Sequence, residues 1–133
     1  MRGPASARDA HVEHAVKLNH LDLQVLDVPA AAAFLVRHFD LELQTRPDSL
    51  AIAILGDGAG FTLVLQRQAE VAYPAGFHVG FIVDDPALVY ARREALAAAG
   101  VTVSPIDVNG RGTVCYCHGP GGMLIEVIAR RAR

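Results

Sequence analysis

A single carboxylate interrupts an apolar, strand-forming segment near the end of the chain. The segment from Met123 to Ile128 reads Met-Leu-Ile-Glu-Val-Ile, and Glu126 is its only charged residue. The pattern predicts a buried strand, in which an unpaired charge would cost on the order of several kcal/mol. Glu126 therefore needs a partner, and a metal ion is one candidate.

Two histidines occupy equivalent positions in an internal repeat. His20 lies in one strand-like segment and His78 in another, 58 residues later, and the same offset relates Asp27 to Asp85. A repeat of this length predicts two copies of one supersecondary unit. A lone histidine on a strand is more often a hydrogen-bonded core residue than a metal ligand, so both interpretations stay open here.

Other residues with metal-binding side chains are less well placed. Cys115 and Cys117 are two apart in a predicted strand, so their side chains leave on one face and a mutual disulfide would be strained. We expect reduced, buried core residues, because zinc sites draw on a second cluster that the sequence lacks. His11 and His14 lie in a polar N-terminal arm, where a solvated role is favoured over a metal site.

The first half of the chain predicts the order β-α-β-β-β. Residues 16–26 alternate as a strand with His20 on its mixed face, and Asp27-Val28-Pro29 supplies a helix cap with an early proline. A helix over 30–39 and strands over 41–45, 50–55 and 61–66 follow, with turn-forming residues between the strands.

The second half repeats this order. A strand over 76–83 precedes a helix over 87–99 that Gly100 should end. The predicted later strands are 101–104, 112–117 and 123–128. The last two should form a hairpin, because Gly119-Pro120-Gly121-Gly122 suits a tight reversal.

Composition favours one compact domain. The chain has 133 residues, of which 52% are hydrophobic and 20% charged, with a formal net charge of −2. These values exclude a disordered chain, and no basic stripe indicates nucleic-acid binding. No run is long and apolar enough for a signal peptide or membrane span, so a cytoplasmic protein is expected. We divide the chain into a flexible arm (1–16), one domain (17–129, with modules 17–68 and 76–129) and a basic tail (130–133).

Three motifs carry a family resemblance. They are Leu18-Asn-His-Leu-Asp-Leu-Gln-Val25, Phe77-His-Val-Gly-Phe-Ile-Val-Asp-Asp-Pro86 and Tyr116-Cys-His-Gly-Pro-Gly-Gly-Met-Leu-Ile-Glu126. With the repeat, they resemble the vicinal oxygen chelate superfamily over residues 17–129. This superfamily includes glyoxalase I, extradiol dioxygenases, fosfomycin-resistance enzymes, methylmalonyl-CoA epimerase and metal-free bleomycin-binding proteins.

The resemblance implies an α+β fold in which two βαβββ modules form a cupped mixed sheet. It also implies that His20, His78 and Glu126 hold a divalent metal ion (Fe, Mn, Ni or Zn). Such a three-ligand set leaves positions open for a small bidentate oxygen substrate. Single-chain members of this size are commonly homodimers that often build each site from both subunits, so we expect a homodimer.

Departures from the family patterns narrow the expected reaction. Glyoxalase I-like enzymes and epimerases need a carboxylate base, and Val64 stands where glyoxalase I-like enzymes carry a glutamate on the fourth strand. The tail of extradiol dioxygenases is matched at Tyr116, Pro120, Gly122 and Glu126, although their additional histidine is missing from 107–109. Tyr116 is therefore a candidate catalytic residue that would orient a hydroxylated substrate, or else a half-buried strand aromatic.

Fosfomycin-resistance enzymes share the three-ligand set but differ elsewhere. Asp22 replaces their threonine, and residues 109–112 replace their potassium-binding loop. We therefore expect a metal-dependent enzyme with dioxygenase-like chemistry favoured over that of glyoxalase I. The competing hypothesis is a metal-free small-molecule binder of the bleomycin-resistance kind. Neither nucleic acid nor membrane is an expected partner.

Overall fold

The computed structural model describes residues 15–132, which contain two helices and eight strands. His11 and His14 lie outside the described residues. In chain order the elements are β1 (His20–Val25), α1 (Val28–Phe39), β2 (Glu42–Leu43), β3 (Ile52–Gly56), β4 (Thr62–Arg67), β5 (Val79–Val83), α2 (Pro86–Ala98), β6 (Asp107–Asn109), β7 (Gly112–His118), a 3-10 turn (Pro120–Gly122) and β8 (Leu124–Arg130).

The strands form two four-stranded sheets with equivalent topology. Sheet A has the order β1-β4-β3-β2 and sheet B the order β5-β8-β7-β6. β1 pairs parallel to β4 in sheet A, and β5 pairs parallel to β8 in sheet B. The remaining strand pairs are antiparallel. The predicted repeat of two βαβββ modules is therefore confirmed.

Both helices begin as the sequence predicts. Asp27 and Asp85 are the N-caps, and their side chains accept hydrogen bonds from the backbone N–H groups of Ala30 and Ala87 at 3.0 and 2.9 Å. Each cap satisfies a backbone donor that the first helical turn leaves unpaired. Gly100 follows α2 with a φ of 82°, in the left-handed region that glycine tolerates best.

The two modules share one hydrophobic core. The rings of Phe39 at the end of α1 and Phe81 on β5 stack with centroids 4.4 Å apart. Cys115 and Cys117 are free thiols and 1% and 2% exposed. Their prediction as core residues is confirmed, because both project from β7 toward this core.

The structure differs from the predicted strands of the second module, where β5 begins only at Val79, directly after His78. The edge strand of sheet B is Asp107–Asn109, whereas the predicted strand 101–104 contributes only a bridge from Val103 to Cys117. The tight connection from Asn109 to Gly112 explains the difference, because it folds β6 directly back on β7. Strand β8 also continues to Arg130, the first residue of the predicted basic tail.

Neither helix of the described chain has the length and apolarity needed to cross a membrane.

Candidate metal-binding site

The site is organised by one row of residues across sheet B. Glu126 on β8 pairs with Gly80 on β5 and with Tyr116 on β7. Residues directly opposite each other on neighbouring strands share a face, and the flanking residues Ile125 and Val127 point into the core. Gly80, Glu126 and Tyr116 therefore lie together on the outer face of sheet B.

Glu126 is buried at 7% exposure, and both of its oxygens face polar groups. The Tyr116 hydroxyl donates to Oε2 at 2.5 Å, and Nη1 of Arg111 donates to the same oxygen at 3.3 Å. Oε1 faces Nε2 of His78 at 3.6 Å. The two donors, Tyr116 and Arg111, offset the cost of burying the carboxylate. The sequence correctly indicated that Glu126 needs partners, and two of them come from its own hairpin.

His78 is oriented for coordination. Its Nδ1 lies 2.8 Å from the carbonyl oxygen of Gly76, which can only accept a hydrogen bond, so Nδ1 carries the proton in the neutral ring. Nε2 then presents its lone pair toward Glu126. A histidine whose distal nitrogen donates to a carbonyl is the usual arrangement of a metal ligand. His78 and Glu126 thus supply an imidazole nitrogen and a carboxylate oxygen that fit a divalent metal ion.

Gly80 leaves space beside the carboxylate. A Cβ atom added at Gly80 would lie 3.6 Å from Oε1 of Glu126. The φ of Gly80 is not among the positive values that favour glycine, so the backbone does not require this residue. Its small size instead keeps the Oε1 side of Glu126 open. The sequence analysis did not predict this role. The pairing of Gly80 on β5 with Glu126 on β8 is what indicates it.

Arg111 is the other residue that sequence reasoning missed at the site. It lies between β6 and β7, where its backbone N–H donates to Oδ1 of Asn109 at 2.8 Å. Its guanidinium contacts both Glu126 and, at 3.1 Å, the hydroxyl of Tyr116. These contacts raise the pKa of Arg111, the hydrogen bond with Tyr116 being the largest cause. The sequence signal was its position directly before the first strand of the predicted hairpin.

His20 lies apart from this cluster. It is exposed on β1, the edge strand of sheet A, whereas His78 and Glu126 belong to sheet B. Within residues 15–132 of one chain, no three histidine, cysteine or acidic side chains converge as a metal site. One chain therefore brings together His78, Glu126 and Tyr116, but not His20.

A carboxylate shares the outer face of sheet A with His20. Asp22 follows His20 by two residues and pairs directly with Val64 on β4. Its two oxygens accept hydrogen bonds from the side-chain amides of Gln24 at 2.9 Å and Gln66 at 2.6 Å. The position occupied by Val64 thus has a fixed carboxylate beside it, on the neighbouring strand.

An apolar cavity of about 300 Å³ opens next to His78 and Gly80. Residues of both modules line it, including Leu21, Leu63 and Phe81. An apolar part of a ligand could bind in this cavity, beside the polar cluster.

Two further histidines make no recorded contact with the cluster among the described residues. His118 is exposed at the end of β7, as predicted. His38 lies in the last turn of α1, also as predicted, and its ring contacts that of Phe34. Burial, together with the nearby Arg37 and Arg92, lowers the pKa of His38.

Comparison with known proteins agrees with this architecture. Residues 17–127 match the model of the Glyoxalase/Bleomycin resistance protein/Dioxygenase superfamily. The solved structure of a possible glyoxalase from Bacillus cereus is 36% identical, with a TM-score of 0.79 over 86% of this chain and 100% of that chain. No curated protein sequence matches the chain.

Two more distant structures share the fold. A variant of the fosfomycin resistance protein FosX from Listeria monocytogenes, complexed with Mn(II) and 1S,2S-dihydroxypropylphosphonic acid, is 23% identical with a TM-score of 0.73, covering 86% of this chain and 92% of that one. Lactoylglutathione lyase from Agrobacterium tumefaciens is 22% identical with a TM-score of 0.69, covering 85% and 92%.

Proposed function

The chain belongs to the Glyoxalase/Bleomycin resistance protein/Dioxygenase superfamily, and on that premise we propose that it is a metal-dependent enzyme acting on a small substrate with two neighbouring oxygens. The observation that carries the proposal is the pair formed by His78 and Glu126. Their facing atoms are 3.6 Å apart, and the distal nitrogen of His78 is held by a backbone carbonyl. Such an outer partner fixes a ligating imidazole in its coordinating tautomer.

In the proposed site His78, Glu126 and His20 hold the divalent cation, which is Fe, Mn, Ni or Zn. When bound, the cation acts as a Lewis acid that stabilises negative charge on substrate oxygens. The Mn(II) complex of the Listeria protein supports a metal in this fold. Tyr116 fixes Oε2 of Glu126 and places its hydroxyl where a hydroxylated substrate would approach. We propose that Tyr116 orients that substrate.

His20 would come from a second copy of the chain, because it is separated from His78 within one chain. Exposed apolar side chains on both outer sheet faces support a homodimer. Ile52 on sheet A is 37% exposed, and Ile82 on sheet B is 60% exposed. A two-fold arrangement that places sheet A of one copy against sheet B of the other would cover both faces and complete two equivalent sites.

Dioxygenase-like chemistry is favoured over the glyoxalase I reaction. The position on β4 that would carry the carboxylate base is Val64, which cannot take a proton. Two observations favour the glyoxalase I reaction instead. The Bacillus cereus relative is described as a possible glyoxalase, and the carboxylate of Asp22 lies beside Val64. Turnover of catechols should therefore be compared with that of hemithioacetals. Activity on hemithioacetals alone would reject the dioxygenase assignment.

Metal uptake tests the proposed function directly. Elemental analysis and titration with Mn²⁺, Fe²⁺, Ni²⁺ and Zn²⁺ should show stoichiometric binding by the purified protein. His78→Ala and Glu126→Gln should abolish it, whereas His38→Ala should not, because His38 lies on α1 and not on sheet B. If no metal binds at stoichiometric level, the enzyme proposal fails.

Mixing two inactive variants tests the shared site. His20→Ala and His78→Ala should each lose metal binding when pure. In a mixture, heterodimers contain one intact site, so about a quarter of the wild-type sites should return. No recovery, despite exchange of subunits, would show that both histidines act within one chain. Full metal binding by pure His20→Ala would show that His20 has no role.

The second candidate function is a metal-free small-molecule binder. The apolar cavity of about 300 Å³ beside His78 favours it, because such a cavity can hold an aromatic or aliphatic ligand without metal. Ligand binding that persists in the Glu126→Gln variant, with no metal uptake by the wild type, would support this alternative.

A further inference from the structure

A cleft of about 710 Å³ on the outer side of sheet B is strongly basic. Its lining includes Arg111, Arg130 and Arg131, and Glu126 is the only acidic residue among its walls. This concentration contrasts with the net charge of −2 of the whole chain. The same Glu126 belongs to the candidate metal-binding site, so the cleft and that site are continuous.

The single carboxylate does not neutralise these arginines. Glu126 pairs with Arg111 at 3.3 Å. Among the described residues, neither Arg130 nor Arg131 forms an ion pair with a carboxylate. Two guanidinium groups at the cleft are thus not compensated by a carboxylate, and a divalent cation at Glu126 would add to the positive potential. Such a concave surface with an excess of positive charge attracts anions.

The backbone holds the three arginines in place. The backbone N–H of Arg131 donates to the carbonyl oxygen of Arg111 at 3.0 Å, and Nη2 of Arg131 donates to the carbonyl oxygen of Asn109 at 2.8 Å. Gly112 permits this close approach, because a Cβ there would lie 2.9 Å from Cα of Arg130. The turn that carries Arg111 is therefore fixed against the end of β8, where Arg130 is the last strand residue and Arg131 follows it.

We propose that this arginine cleft binds an anionic group of the substrate, either a carboxylate or a phosphoryl or phosphonyl group. Guanidinium groups match both kinds of anion in shape and donor geometry, and they stay charged at all working pH values. Anion binding by the cleft does not require the proposed function. Only the placement of the substrate's chelating oxygens at Glu126 rests on it. It implies that the substrate carries two neighbouring oxygens for the metal and a separate anionic group for the arginines.

Isothermal titration with simple anions tests the cleft. Inorganic phosphate, methylphosphonate and acetate are titrated into the full chain, metal-free and after loading with Mn²⁺, at constant low ionic strength because salt screens such contacts. At least one anion should bind saturably in both states. Arg130→Gln should weaken its binding about tenfold or more, as expected for the loss of a charge-assisted hydrogen bond. Arg37→Gln, an exposed arginine on α1, is the matched control and should bind like the wild type.

The outcomes separate this proposal from the proposed function. A preference for phosphate and methylphosphonate identifies a phosphoryl-type group, and a preference for acetate identifies a carboxylate. Binding of anions without metal uptake leaves the arginine cleft standing and overturns the metal-dependent enzyme. Metal uptake with no anion binding, or equal affinity in the Arg130→Gln and Arg37→Gln proteins, overturns the arginine cleft alone.

Discussion

The hydroxyl of Tyr116 donates a 2.5 Å hydrogen bond to Oε2 of Glu126, directly across the ladder between β7 and β8. This contact joins the candidate catalytic residue to the candidate metal ligand. It leaves Oε1, the other carboxylate oxygen, facing His78. The tyrosine thereby leaves Oε1 as the oxygen available to the proposed metal ion.

Removal of this hydroxyl should weaken metal binding without unfolding the protein. Hydrogen bonds to ligating carboxylates orient them, and their loss commonly costs about tenfold or more in affinity. Tyr116→Phe should therefore bind Mn²⁺ about tenfold more weakly and lose about 1–3 kcal/mol of unfolding free energy. Tyr90→Phe, at an exposed position of α2, is the control for both titrations. Unchanged Mn²⁺ affinity in Tyr116→Phe would mean that Glu126 does not depend on it for orientation.

Enlarging Gly80 should close the open side of Glu126. An alanine Cβ fits at 3.6 Å from Oε1, within ordinary van der Waals contact, so Gly80→Ala should retain metal binding. The branched side chain of Gly80→Val should fill the space next to Oε1 and reduce Mn²⁺ affinity by about tenfold or more. Valine is a good strand former, so circular dichroism should show an unchanged fold. The Ile82→Val variant, on the same face of β5, controls for a change of outer-face side chain. Full metal affinity in Gly80→Val would refute the steric role.

Gly112 should be essential for stability, unlike its neighbour Gly110. Gly112 has a φ of 137°, and a Cβ there would collide with the backbone of Ala129 and Arg130. Gly112→Ala should cost about 3 kcal/mol or more of unfolding free energy, measured by urea denaturation. A Cβ at Gly110 meets nothing within 4 Å, so Gly110→Ala should be nearly neutral. Similar stability of the two variants would contradict the close approach of β7 to β8.

The buried thiols should make stability fall in alkaline solution. Burial raises the pKa of Cys117 to about 11, and the neighbouring Cys115 adds to the effect. An unfolded cysteine titrates near about 8.5, so above that pH the unfolded state loses its proton first and is favoured. The unfolding free energy should decline as pH rises from about 8.5 toward 11, and Cys117→Ala should flatten that decline. In the native protein at pH 8, neither thiol should react with a water-soluble disulfide reagent, whereas both should react after denaturation.

The sequence by itself determined the two-module architecture and the buried carboxylate at the centre of the candidate site. The 58-residue offset predicted two βαβββ units, because equivalent strands and helix caps recur in the same order. The apolar segment around Glu126 predicted a buried carboxylate that needs partners, and the spacing of Cys115 and Cys117 predicted core positions on one face. These are local patterns whose period follows from strand and helix geometry.

Only the tertiary structure decided which side chains meet. Strand pairing brings Gly80, Glu126 and Tyr116 into one row, and the turn from Asn109 to Gly112 places Arg111 on Glu126. The separation of His20 from His78 follows from the division of the modules into two sheets. Contacts between strands depend on register and on backbone approach, which a single sequence does not encode as a local period.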